Sequence, residues 1–281
     1  MPCWGRFCGQ RMARYRGIPK GLLLFAVSLL TACVATVEPH PPVHLQMAGS
    51  TCMQSLVEEL SEAYTTRYDY VTMDMKGRGS MLGLEGLRDG LVDVALVSRE
   101  LASEEEESLR ARVIGYDAIA VLVNDGNAVS SLSSRQLRDI FSGGIMLWSE
   151  VGGEEVEIQV LSREDGSGTR DAFEERVMEG RRVTLTAIVM PSNQAVGEFV
   201  AENPLAIGYA SAVDIPRGAR PLRIDGVEPS LQAVTQGDYP LIRPFILATM
   251  ERPDDEVQAF VNFVLSPAGQ VVVGRRYGRA R

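Results

Sequence analysis

From His44 to Leu265 the chain switches repeatedly between two hydrophobic periods. Short, mostly apolar runs at His44–Met47, Tyr70–Met75, Val92–Val97 and Ala118–Val123 read as buried or half-buried strands. Between the first two, the stretch Cys52–Arg67 places Met53, Leu56, Val57, Leu60, Ala63 and Tyr64 on one face at helical spacing. Ser103 with Glu106 has the form of a capping box before a short helix. Ser133 is placed to open another, with Leu137, Ile140 and Phe141 inward. The second half continues the alternation. Val156–Leu161, Leu185–Met190 and Leu205–Ala210 predict strands. Thr169–Met178, Gln194–Ala201 and Asp254–Leu265 predict amphipathic helices. Regular alternation of β and α predicts an α/β architecture with mainly parallel sheets.

The first 32 residues break this pattern. Arg6, Arg11, Arg14, Arg16 and Lys20 supply five positive charges with no acid, and an uncharged apolar run follows from Gly21 to Ala32. A basic stretch before a short apolar one predicts an export signal over residues 1–32; an N-terminal membrane anchor is the alternative reading. The run ends Leu30-Thr31-Ala32-Cys33, which resembles the lipobox of bacterial lipoproteins. The resemblance implies acylation of Cys33, enough lipid for stable anchoring to a membrane, and a location on the periplasmic side. Residues 33–42 then read as a proline-extended tether. Cys3 and Cys8 would leave with the signal, so Cys52 stands alone, without an internal disulfide or a cysteine-based metal site.

Charge narrows the partners. The whole chain carries a formal −9, and loss of the five N-terminal cations leaves 23 basic against 37 acidic residues, a net −14. Nucleic acid is excluded as a partner, because phosphate-backbone binding needs a basic face. An acidic protein that binds an anion must hold it with local dipoles and hydrogen bonds.

Three glycine-rich turns between a strand and a helix offer such groups: Ala48-Gly49-Ser50-Thr51, Gly77-Arg78-Gly79-Ser80 and Asp165-Gly166-Ser167-Gly168-Thr169. Each puts a hydroxyl at a helix start, where backbone N–H groups lack partners and the helix dipole is positive. Glycine lets the backbone approach a ligand closely. Each turn by itself is also an ordinary helix cap, so the functional reading depends on their convergence. The third turn lacks the lysine of a P-loop and the spacing of a hydrolase nucleophile elbow. Arg163 and Asp165 precede it: the arginine could clamp an oxyanion, and the aspartate could orient it or accept a ligand proton. Both could equally form a surface ion pair. Arg99, following strand Val92–Val97, is a second candidate cation at the carboxyl edge that ligands favour in α/β sheets.

Taken in order, these turns together with Val97-Ser98-Arg99, Ile140-Phe141-Ser142-Gly143, Trp148, Ala206-Ile207-Gly208-Tyr209, Tyr239-Pro240-Leu241-Ile242-Arg243-Pro244 and Phe263–Gly269 resemble the periplasmic phosphate-binding proteins of ABC-type phosphate transporters. The resemblance runs from about His44 to Tyr277. It implies a two-lobe periplasmic binding protein-like (type II) fold with a mainly parallel sheet in each lobe and a ligand cleft between. One lobe would hold residues 43–121 plus 243–281 and the other 122–242. It implies phosphate contacts from the first turn (Ser50, Thr51 and the backbone N–H of Cys52), the second (Gly79 and Ser80), Ser98-Arg99, and the third, where Arg163 and Asp165 are paired and Ser167, Gly168 and Thr169 face the ligand. Some family members carry an aspartate at the position of Arg99 that accepts the proton of hydrogen phosphate. Its absence here leaves the acceptor to Asp165 or to a group the sequence does not reveal.

The function implied is capture of inorganic phosphate by an exported monomer and its delivery to a membrane permease, with no cofactor, metal or catalysis. The alternatives are a binding protein or sensor for another oxyanion such as sulfate or molybdate, and an exported phosphatase or hydrolase using Ser167. The only histidines, His40 and His44, lie near the tether, which counts against a Ser–His pair.

Overall fold

A computed structural model describes residues 40–213 and 215–280. The export signal, Cys33 and the tether up to residue 39 lie outside the described residues. Within them, eight strands form one continuous path: β1 (Val43–Gly49), β2 (Val71–Gly77), β3 (Val94–Val97), β4 (Leu109–Asn124), β5 (Gln159–Arg163), β6 (Ile188–Met190), β7 (Ala206–Ser211) and β8 (Ile242–Met250). Their order is β2-β1-β3-β8-β4-β7-β5-β6. β1 pairs parallel with β2 and β3, and β5 pairs parallel with β6 and β7. These are the parallel sheets of two lobes, and β1, β2, β5 and β6 each lead into a helix.

β4 and β8 join the lobes. They pair antiparallel from Leu109↔Met250 to Ala118↔Ile242, and the register shifts by one residue where Phe245 faces Gly115 and Ile246 faces Val113. Ile114 is the extra residue of this bulge, and it is buried. The second half of β4 turns to pair with β7, Ile119↔Ser211 through Val123↔Ile207. Sequence pattern predicted only Ala118–Val123. Leu109, Ala111 and Val113 alternate with Arg110 and Arg112, the half-buried pattern of a sheet with one wet face, and that part of the strand lacks a continuous apolar run.

Each lobe has its own core. Leu45, Met47, Leu56, Leu60, Tyr64, Phe245, Phe260 and Val264 belong to one cluster. Phe141, Trp148, Phe173, Val177, Tyr209 and Tyr239 belong to another, in which Phe173 stacks on Tyr209 with ring centroids 4.0 Å apart. The helices are α1 (Gln54–Thr65), α2 (Ser80–Arg88), α3 (Ser134–Phe141), α4 (Gly168–Phe173), α5 (Asn193–Glu202) and α6 (Asp255–Leu265); all but α2, which the sequence marked only by the turn before Ser80, form where the apolar spacing put them. Ser133 caps α3 by accepting from the Gln136 N–H.

Three local expectations are corrected. The predicted helix over Thr169–Met178 starts as α4 but widens into a π-turn over Glu174–Met178. The strand predicted from Leu185 begins only at Ile188, and Leu185 is 99% exposed. The predicted capping box of Ser103 and Glu106 is not made. Glu105 accepts from the Ala102 N–H instead, because its carboxylate is already drawn toward Arg99.

Candidate anion-binding site

The three turns meet. In the first, β1 stops at Gly49, the Ser50 N–H bonds to Leu96 O, and Thr51–Met53 make one tight turn leading into α1. In the second, Gly79 takes φ +90° and Ser80 is the first residue of α2. A side chain at Gly79 would also strike Gly166 O at 2.8 Å, so this glycine is required twice over. In the third, Ser167 caps α4 by accepting from the Arg170 N–H at 3.4 Å. The first turn of α4 therefore presents the N–H groups of Gly168 and Thr169 without helical partners.

Hydroxyls tie the first two turns together, and the third packs onto them from the other lobe. Ser50 Oγ lies 2.8 Å from Ser98 Oγ and 3.1 Å from Cys52 Sγ. The Ser98 N–H donates to Ser80 Oγ at 3.2 Å. Gly168 packs so tightly on this group that a Cβ would fall 2.1 Å from Ser80 Oγ and 2.6 Å from Ser98 Oγ. The Met81 N–H, on the other side of the contact, donates to Gly166 O at 3.2 Å. Ser50, Ser80, Ser98, Ser167 and Thr169 are all buried. Thr51 and Cys52 line the adjoining inter-lobe cleft, about 520 Å³ in volume.

Beneath the hydroxyls lies a residue named in the sequence only as part of a matching run. Arg243, on β8, donates Nε and Nη2 to Asp117 Oδ2 at 3.0 and 2.7 Å. Its Nη1 donates to Thr169 Oγ1 at 2.7 Å and reaches Ser98 Oγ at 3.5 Å. Asp117 also accepts from Ser211 Oγ at 3.0 Å. Burial pushes the Asp117 carboxyl up, against the opposing pull of Arg243, Ser211 and the Ala118 amide. Arg243 and the Ser98 N–H each fill a lone pair on Thr169, Ser98 and Ser80, so the hydroxyl protons of Thr169 and Ser80 are free to be donated to a ligand, whereas one proton is shared between Ser98 and Ser50. A single cation inside the apolar run Leu241–Leu247, and a single acid inside Val113–Val123, were the sequence signals for this pair.

Arg163 ends β5 and is 1% exposed. Its Nε and Nη2 grip Glu164 at 2.9 and 2.8 Å, and its Nε also donates to Met190 O at 3.1 Å. Its Nη1 is buried and has no partner. An arginine held by two of its nitrogens with the third open is poised for an incoming acceptor.

A domain model of the PBP superfamily matches residues 36–268. The chain belongs to this superfamily. The phosphate-binding protein PstS of Bacillus subtilis is 30% identical over 203 residues, covering 70% of this chain and 67% of that protein. The PstS of Borreliella burgdorferi is 25% identical over 242 residues, covering 82% and 87%. Among solved structures, a substrate-binding protein assigned to a phosphate ABC transporter of Clostridium perfringens, with phosphate bound, superposes with a TM-score of 0.81 at 32% identity, covering 85% of this chain and all of that one. An ABC-type phosphate transport receptor from Vibrio cholerae gives 0.72 at 28% identity, covering 84% of this chain and all of that one. The two-lobe PBP-like architecture and the family resemblance read from the sequence are thereby established.

Two of the site expectations carried by the superfamily resemblance change. Asp165 does not pair with Arg163. Its side chain is 92% exposed and bonds Arg170 at 2.5 Å, because the chain leaves the strand at Arg163 and turns outward toward Gly166. Glu164 takes the arginine instead. Arg99 does not reach the hydroxyl cluster either. Its guanidinium is divided between Glu105, at 2.7 and 2.9 Å, and Asp171 of α4, at 3.0 Å. It is a tie across the lobes, beside the site. Hydrogen bonding to Arg99 lowers the Glu105 pKa, whereas burial raises that of Asp171.

Proposed function

We propose that this chain captures inorganic phosphate between its lobes, residues 43–121 plus 243–281 and residues 122–242, and delivers it to the membrane permease of an ABC transporter. The observation that carries the reading is the buried, unpaired Nη1 of Arg163 in a chain whose three hydroxyl-bearing turns press together at one cleft. The contacts would come from Ser50, Thr51, the Cys52 N–H, Ser80, Ser98, Ser167, the Gly168 N–H, Thr169 and Arg163, with Gly79 permitting their approach. Asp165 and Arg99 play no direct part. The phosphate-bound relative from Clostridium perfringens supports phosphate over sulfate or molybdate.

In this reading the protein is exported, is held to the membrane by lipid on Cys33, works as a monomer without a cofactor, and does no chemistry on its ligand. Ser167 Oγ serves as a helix cap, and the ring of His44 bonds Thr72 on the far strands β1 and β2. Among the described residues no helix is long and apolar enough to cross a membrane, and no group of three or more His, Cys, Asp or Glu could hold a metal ion. A thermal-shift comparison of the mature chain with phosphate, sulfate, arsenate and molybdate tests the reading, since a ligand bound only by the folded form raises the melting temperature. Phosphate should give the largest shift. A larger shift with sulfate or molybdate would reassign the ligand.

A further inference from the structure

The sequence left one question that the hydroxyl cage does not answer: which group accepts the proton carried by hydrogen phosphate. No carboxylate of the cage is free to accept. One lone pair each on Ser80, Ser98 and Thr169 already accepts from a protein N–H group, and Arg163 can only donate. Asp117 is spent on Arg243 and Ser211, and Asp165 faces solvent.

Asn193 is the first residue of α5 and lines the same inter-lobe cleft as Thr51 and Cys52. Both polar atoms of its carboxamide, Oδ1 and Nδ2, are buried and without a partner. The cap of α5 is already supplied by Ser192, whose Oγ accepts from the Ala195 N–H at 3.0 Å, so Asn193 is not needed for that task. Two residues before it, Pro191 O, like Met190 O, touches the guanidinium of Arg163. The buried side-chain nitrogens and oxygens that lack partners among the described residues are thus Arg163 Nη1 and the two ends of Asn193, on adjoining segments of one lobe. Burying an amide unpaired is costly, and a ligand that supplies both a donor and an acceptor removes that cost.

We propose that Asn193 is the specificity-determining residue of the site: its Oδ1 accepts the P–OH proton of the bound ion while its Nδ2 donates to a neighbouring oxygen. The inference rests on the phosphate reading above. Sulfate, fully ionised, would set an oxygen lone pair against Oδ1 and be rejected. The acceptor is neutral, which suits a chain that already carries Glu58 and Glu198 at the same cleft, along with Cys52 and Tyr277. A further carboxylate there would add to the repulsion of the incoming anion.

Titration calorimetry of the mature chain with phosphate and with sulfate tests this. In Asn193→Ala, phosphate affinity should fall at least tenfold while sulfate affinity changes little, so that the preference narrows by the same factor. Asn193→Asp keeps an acceptor. It should preserve the preference for phosphate and bind more tightly as pH falls, more steeply than the wild type. An Asn193→Ala protein that binds phosphate with an unchanged preference over sulfate would overturn the inference while leaving the phosphate reading intact. If the alanine variant does not fold, a pH profile of Asn193→Asp identical to the wild type overturns it equally. A wild-type chain that binds neither anion would overturn the phosphate reading, and this inference with it.

Discussion

Arg243 and Arg163 are both buried arginines, and they are built in opposite ways. Arg243 has Asp117 as a buried counter-ion, and all three guanidinium nitrogens engage protein acceptors. Arg163 has its carboxylate, Glu164, at the partly exposed rim, and it leaves one nitrogen open. A buried cation whose bonds are all made internally serves as framework, since no ligand can reach it without displacing a partner. One with an open N–H is prepared for an acceptor from outside. In this protein the two roles are divided between the crossing strand β8 and the end of β5. Arg243 holds Thr169 and Ser98 in place from beneath, and in the proposed function Arg163 supplies the positive charge.

That division can be broken at either end. The largest effect should come from Arg243→Met. It strands Asp117 as an unpaired buried acid and should cost about 3–5 kcal/mol of stability. Urea unfolding would read this as a lower midpoint, whether or not phosphate is present. Next is Gly168→Ala. Its new methyl would overlap Ser80 and Ser98, so the lobes could not meet, and phosphate affinity should drop about a hundredfold, some 2.7 kcal/mol, in calorimetry. Arg163→Ala should lose at least tenfold in affinity, about 1.4 kcal/mol, and, since the side chain is buried, should also lower the melting temperature without ligand. Asp165→Asn serves as its control, with affinity unchanged. Finally, Glu105→Gln tests the neighbouring tie. Because the Glu105 pKa is lowered in the fold, its contribution is present above the ordinary carboxylate range and is lost as pH falls through the folded value. Solvent screening limits it to roughly 0.5 kcal/mol. Melting curves of variant and wild type should differ at pH 7 and converge on acidification.

What the sequence revealed divides along similar lines. Periodicity located most of the helices because their apolar faces bury against a sheet, and the three turns were visible as glycines beside a hydroxyl at a helix start, an ordinary cap each on its own, whose convergence only the fold reveals. Side-chain direction was not visible. Glu164 and Asp165 are adjacent acids beside an arginine, and only the turn geometry after β5 decides which one grips it. Arg99 stands at the right edge of its sheet, yet Glu105 and Asp171 converge on it from the short helix Ser103–Glu106 and from the opposite lobe. Asn193 reads in sequence as an ordinary helix start. Its significance depends on a burial and a lack of partners that local pattern cannot report. The first half of β4 escaped because one of its faces is wet.

The lobes are also unequal in how the chain builds them. The cluster around Phe141, Trp148 and Tyr209 is drawn from one unbroken stretch, whereas the cluster around Leu45 and Leu60 needs Phe245, Phe260, Val264 and Tyr277 from the far end. During synthesis the middle of the polypeptide can therefore settle first, and the opening segment must wait, its apolar residues exposed, until the last helices emerge. A shortened chain ending before Asp255 should be sticky and prone to degradation while still containing one intact half.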